Sequence, residues 1–360
     1  MKALSSARLA VLGAALVFVA SGALPAAEDL QSVLARAQVW TPTNIPAMNI
    51  KAGPMGPGAL AFLAEVECDY LDKKLSGRSP KFACMLGSDD ELKVKYGGTN
   101  GEVYAEVVSS RLLWALGFGA DHMYPVRVIC RGCPETIGGI LRADGTRIVD
   151  PATIERKMPG TELSDAWSWE DLDRIDEKAS GAPRAHRDGL KLMAVFLQHT
   201  DTKPQQQRLI CLDAPASPPA QAPEARAIAP CSRPFMLVQD VGVTFGRAST
   251  FNDNAKSSTN LAAWSATPIW TENKGPCVGN LPKSFTGTLD EPVISEEGRQ
   301  FLAGLLTQLS DSQIRDLFEV SRVTLRVRKP GDARSGFPTV DEWAEAFKQK
   351  RAEIANRRCA

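Results

Sequence analysis

The residues best placed for chemistry stand together in His199-Thr200-Asp201-Thr202-Lys203-Pro204-Gln205-Gln206. The apolar stretch before them, Leu190 to Leu197, reads as a helix, and Arg208-Leu209-Ile210-Cys211-Leu212 after them reads as a strand. A helix, a tight polar loop and a strand hold a loop carboxylate over one spot, so Asp201 is the candidate acid–base group. Lys203 and Gln206 share the loop, one a positive charge and the other a neutral donor and acceptor. A second carboxylate, Asp240, opens Asp240-Val241-Gly242 after the apolar run Phe235-Met236-Leu237-Val238.

Two more charged positions need elements to carry them to this loop. Leu92-Lys93-Val94-Lys95-Tyr96 alternates as a strand does and ends at Gly97-Gly98. Glu102 to Leu116 reads as a helix, with Ala105, Val108, Leu112 and Ala115 on one face and Gly117 as its stop. Glu102 and Glu106 lie one turn apart on one side of it.

These stretches resemble the protein kinases. The loop H-x-D-x-K-P-x-Q is similar to their catalytic loop H-R-D-L-K-P-E-N. It keeps the aspartate, the lysine two later, the proline after that and an amide five after the aspartate. Asp240-Val241-Gly242 resembles the metal-binding D-F-G. V-K-Y followed by A-E-V-V-S-S-R-L-L resembles the corresponding segment of HipA-type bacterial kinases. The likeness is strongest over 92–116 and 190–246, and elsewhere rests on the order of elements.

The resemblance implies an α+β, two-lobed protein-kinase-like fold: a mainly β N-lobe with one helix over 24–158 and a mainly helical C-lobe over 159–360. It implies ATP and magnesium as cofactors. Asp201 would act on the acceptor hydroxyl and Lys203 would steady the γ-phosphate. Gln206 and Asp240 would hold the metal, and Lys95 paired to Glu106 would hold the nucleotide phosphates. Lys93 and Glu102 are the alternates for that pair. The departure is Gln206 where the family has asparagine. Glutamine is one methylene longer and magnesium demands near-ideal geometry, so the metal role falls to Gln206 or is shared by Gln205 or Gln207. Gly56-Pro57-Gly58 supplies only G-x-G where the family has a glycine-rich loop, and prolines remove backbone donors, so it reads as a surface turn. By order alone, Thr153 to Gly160 falls at the interlobe hinge. His186-Arg187-Asp188 is a literal H-R-D, but Met193 stands five residues on inside an apolar helix, so Asp188 reads as a surface or first-turn residue.

Two functions follow. The first is an exported atypical kinase that transfers the γ-phosphoryl of ATP to a hydroxyl acceptor, a protein or glycan. The alternative is a catalytically inactive kinase-like fold that serves as a periplasmic binding or scaffold protein. A third reading, a disulfide-stapled structural protein, is separated from both by whether Lys95, Asp201 and Asp240 share a cleft.

Export is read from the first residues. Lys2 and Arg8 precede an uncharged, mostly apolar run from Leu9 to Ala20, and Ser21-Gly22-Ala23 is a small-x-small cleavage site. A signal peptide over 1–23 is expected. The apolar run is short for a membrane span, no later stretch suits one, and the mature chain is expected in the periplasm or outside the cell. The eight cysteines of an exported chain are expected as disulfides. Position argues for two pairs. Cys68 and Cys84 flank a polar, glycine-containing segment, and Cys211 and Cys231 bracket a Pro/Ala-rich loop over 213–230. Cys130-Arg131-Gly132-Cys133 lacks a thioredoxin-like setting, a second pair at zinc spacing and a following histidine. With 42 basic and 42 acidic residues the chain has no formal net charge, which opposes bulk attraction to nucleic acid. After Gly246, three helices are expected, over Glu296–Leu309, Ser312–Val320 and Val340–Arg357, the last with a basic C-terminal end.

Overall fold

The computed structural model describes residues 28–213, 230–246, 258–329, 331–333 and 335–360. The expected signal peptide and nearly all of the 213–230 loop lie outside those residues. The described chain is mixed α and β, with several helices and four disulfides. None of its helices is long and apolar enough to cross a membrane.

Five strands close into a barrel: β1 (Glu65–Leu71), β2 (Lys81–Leu86), β3 (Asp90–Tyr96), β5 (His122–Arg131) and β7 (Arg147–Arg156). Their order is β3-β2-β1-β5-β7, and β7 pairs back to β3. β1 and β5 run parallel, and the other barrel pairs are antiparallel. Alternation dictates the filling. Val66, Phe82, Leu92, Val94, Val126, Val128 and Ile154 point inward and form one apolar cluster. The Cys68–Cys84 disulfide lies among them and staples the β1–β2 hairpin. Cys130 and Cys133 are joined at the end of β5. A short strand, β6 (Ile140–Leu141), adds to β7 outside the barrel. The strand expected from Ala59 begins only at Glu65, because 59–64 turn through a left-handed Leu63 whose N–H is taken by the Pro125 carbonyl.

Outside the barrel a four-stranded sheet has the order β4 (Gly119–Ala120), β10 (Pro234–Val238), β9 (Gln207–Cys211), β8 (Thr161–Ser164). Around it stand α1 (Leu30–Ala35), α3 (Arg184–Leu197), α4 (Leu261–Ala266), α5 (Glu296–Leu306), α6 (Asp311–Val320) and α7 (Val340–Asn356). Their core is aromatic. Trp343 stacks on Phe318 and Trp264, and Phe245, Phe196 and Phe347 pack around them. Residues near the N-terminus join this core rather than the barrel: Val33, Leu34, Val39, Ile45 and Ile50 are all in it.

α2 (Glu102–Leu116) lies between barrel and helices. Its spacing predicts one apolar face, yet all of its residues except Trp114 are buried, because the barrel covers one side and the aromatic core the other. It ends where expected. Gly117 has φ 87°, and a Cβ there would lie 2.0 Å from the Thr41 carbonyl oxygen. The expected C-terminal helices form with slightly different bounds, α6 being capped by Ser310 and Gln313 in a reciprocal box. The basic residues near the end of α7 fall outside its last turn and bond elsewhere. Lys350 is buried against Trp264 and donates to the Thr267 carbonyl, and Arg357 donates to the carbonyls of Asn273 and Gly275. Cys277 and Cys359 tie the chain end back to that loop.

Candidate functional site

β3 brings Lys95 to the end of the barrel that faces α2, and its side chain is 1% exposed. Its ammonium donates to Glu106, to Glu102 at 2.9 Å, and lies 3.6 Å from Asp240. Both helix glutamates therefore meet the same lysine, since one turn of α2 separates them. Lys93, the alternate, pairs instead with Glu155 across the β3–β7 ladder. Carboxylate oxygens of Glu102, Glu106 and Asp240 lie within 4.8 Å of one another. Such crowding is stable only around positive charge. Burial opposes the charge on Lys95, yet Asp240, Glu106 and Glu102 hold its pKa well above the ordinary lysine value. Burial, with Asp240 and Glu102 beside it, drives Glu106 well above the usual carboxylate range against the pull of Lys95. Burial also works against ionised Asp240, but Lys95 and the Gly242 N–H hold it far below that range.

Close approach is possible because residue 242 is glycine. A Cβ there would meet Glu102 Cγ at 2.8 Å and Glu106 Oε1 at 3.1 Å. Asp240 also accepts from the Gly242 N–H at 3.3 Å. The segment is held at its C-terminal end. Thr244 shares a hydrogen bond with Ser109 of α2 at 2.7 Å, and the Phe245 N–H donates to Leu197 O at the end of α3 at 2.8 Å.

The loop after α3 is tied to the same segment. Thr200 N donates to Val243 O, Gln239 N to Gln206 O, and the Gln239 side chain to Gln205 O. Asp201 and Asp240 thus lie on two segments that are hydrogen-bonded to each other. Asp201 is 3% exposed. Its Oδ2 accepts from Lys203 and from Gln206, each at 3.0 Å, and its Oδ1 is buried with no partner. The Gln206 amide nitrogen is thereby spent on Asp201. Gln207 points away into the packed face of β9, fully buried with both amide atoms unpartnered. The H-R-D at 186–188 is elsewhere. Asp188 is 4% exposed rather than on the surface, because it accepts from Arg184 and from the Ser295 N–H and so joins α3 to the start of α5.

One residue of this neighbourhood was not foreseen. Asp121 stands between β4 and β5, where the chain passes from the four-stranded sheet into the barrel, and its side chain is fully buried. It binds Arg208 of β9, Lys157 at 2.9 Å and the Met158 N–H at 2.9 Å. Residues 157–160, where the chain passes back, are therefore pinned to the outward crossing. Lys157 also reaches Gln239 at 3.1 Å, which connects the pin to the Asp201 loop. The available signal was a lone acid in the run Leu116-Gly-Phe-Gly-Ala-Asp-His-Met-Tyr, since a charge in an apolar stretch needs a buried partner.

No family model matches the chain, and no curated protein matches it. Among solved structures it is similar to a proinflammatory kinase of Helicobacter pylori, CtkA, with a TM-score of 0.41 and 11% identity, over 82% of this chain and 95% of that one. At that level the likeness says nothing about the chemistry of the site.

The oxygen donors that a divalent cation would need converge here. Asp240 is a hard oxygen donor on the rim, its side chain 26% exposed. Glu106 Oε2 and Asp201 Oδ1 are buried oxygens without partners. Lys95 and Lys203 bring positive charge to the two sides.

Proposed function

We propose that this chain is an exported phosphotransferase of the protein-kinase-like fold that passes the γ-phosphoryl of ATP to a hydroxyl acceptor. The observation that carries the reading is convergence. Lys95, Glu106 and Asp240 come from a barrel strand, a helix and the end of β10, and they meet beside the loop that holds Asp201. In this reading Glu106 and Glu102 orient Lys95 toward nucleotide phosphates, and Asp240 with the Gln206 oxygen holds magnesium. The metal supplies charge neutralisation between the phosphates. Asp201 takes the acceptor proton through its free Oδ1, while Lys203 and Gln206 fix the other oxygen. Four disulfides are compatible with export.

Nucleotide calorimetry with and without Mg²⁺ tests it. Asp240→Asn removes charge and almost no volume, so it should keep the fold and abolish metal-dependent nucleotide binding. Asp201→Asn should spare binding and remove transfer from radiolabelled ATP. Wild type that binds no nucleotide at any metal concentration would end the enzyme reading.

A second reading, an inactive fold that binds or scaffolds, is favoured by one observation: Gln206, which stands where the resemblance has asparagine, is anchored on Asp201 by its amide nitrogen, so its longer side chain is not free to adjust to a metal. It predicts nucleotide binding without transfer in wild type, and Gln206→Asn as the change that restores metal dependence.

A further inference from the structure

We propose that the surface formed by residues 283–293 and Trp169 is a docking site for an extended, basic polypeptide segment. It rests on the phosphotransferase reading, and it names the acceptor class as protein.

The surface is fastened to the candidate catalytic loop. Thr288 donates to the Thr202 carbonyl from its N–H at 3.1 Å and from its hydroxyl at 2.9 Å, and Leu289 N–H reaches the Thr202 hydroxyl at 3.4 Å. Thr202 is the residue after Asp201. The same stretch carries two bulky apolar side chains in water, Phe285 at 94% exposure and Val293 at 60%. Isolated exposed apolar residues are ordinary, but two on one short segment bound to Thr202 are a place for apolar contact.

Between this stretch, Trp169 and the start of α3 lies an open cavity of about 490 Å³. Its cations are already matched: Lys191 to Asp173 at 2.6 Å, Arg184 to Asp188 at 3.3 Å, and Arg187 to Glu177 at 3.3 Å. Glu170 and Glu291 line it exposed, with no ion pair among the described residues. Trp169 also lines it, 1% exposed, and its indole N–H is buried without a partner. Unmatched carboxylates beside exposed apolar groups suit a peptide that offers lysine or arginine and an apolar side chain. A small sugar or metabolite would leave Phe285 and Val293 unused, and the carboxylates repel nucleic acid and anionic lipid.

The test is fluorescence anisotropy with the mature chain and a short labelled peptide of Lys, Leu and Ser, against its counterpart with Glu for Lys. The basic peptide should bind and the acidic one should not. Phe285→Ser and the pair Glu170→Gln with Glu291→Gln change exposed residues, and each should weaken the basic peptide about tenfold or more while nucleotide affinity stays put. Unchanged affinity in both variants, or equal binding of the acidic peptide, overturns the proposal. Asp201→Asn should still bind the peptide. Loss of nucleotide binding in wild type would defeat the phosphotransferase reading, whereas the anisotropy result judges the docking surface by itself.

Discussion

The ammonium of Lys95 lies 3.6 Å from the carboxylate of Asp240, and two further carboxylates, of Glu102 and Glu106, close around it. One buried cation thus holds three acids from two separate parts of the chain. Removing it leaves those acids crowded and uncompensated, whereas removing one acid leaves the cation well matched.

Lys95→Met should therefore destabilise the protein by about 3–5 kcal/mol, and Glu102→Gln should stay within about 1 kcal/mol of wild type. Denaturant midpoints compare the two. Equal losses would mean that Lys95 does not hold the cluster together.

Asp121 predicts a second asymmetry. Asp121→Ala strips the main carboxylate partner from Arg208, which is 7% exposed, and frees the Met158 N–H. A cost of about 3–5 kcal/mol is expected. Asp121→Asn keeps an oxygen for Met158 and should lose less. Equilibrium unfolding measures both, and a neutral Asp121→Ala would refute the pin between the two chain crossings.

The disulfides should rank by loop length. Cys277–Cys359 spans 82 residues of sequence separation, Cys211–Cys231 spans 20, Cys68–Cys84 spans 16 and Cys130–Cys133 spans 3. The chain-entropy model gives about 4.5 kcal/mol for the first, about 3 for the next two and under about 2 for the last. Asp213 accepts from the N–H groups of Ser232 and Arg233 and holds the two chain ends beside Cys211 and Cys231 together in the folded state, so the loss at Cys211–Cys231 should stay close to its figure. Paired Cys→Ala variants, each unfolded in denaturant, test the order, and non-reducing peptide mapping tests the pairs.

His122 gives a pH dependence. Burial, with Arg111 nearby, lowers its pKa from 6.5 to about 4, against the pull of Asp121. The folded value is depressed, so the unfolded chain takes the proton first as pH falls. Its stabilising contribution is full above about pH 6.5 and is lost as pH falls through about 4, for a total of at most about 3 kcal/mol. Glu106 works in the opposite sense, since its folded value is raised. The effect of His122 is therefore read as the difference between wild type and His122→Gln. That difference should shift by about 2 kcal/mol between pH 7.5 and 5. A constant difference would show that His122 is protonated as readily in the fold as out of it.

Much of the site was legible because its signals are local. The loop around Asp201, the strand before Asp240 and the two ends of α2 are each written within a few residues, by an apolar run, a turn or a terminal glycine. The Cys68–Cys84 and Cys211–Cys231 pairs were legible for the same reason, each bracketing one hairpin or loop. What alternation and helical period leave open is choice along one face. Lys93 and Lys95 point the same way from β3, and Glu102 and Glu106 the same way from α2. Only the closed barrel decides that Lys95 lies under α2 while Lys93 is taken by Glu155, and only the depth of the helix lets both glutamates reach one ammonium. Asp121 belongs wholly to the tertiary structure. Its partners Lys157 and Arg208 come from distant stretches, and no local pattern records that two crossings of the chain will be stacked and need a shared buried charge.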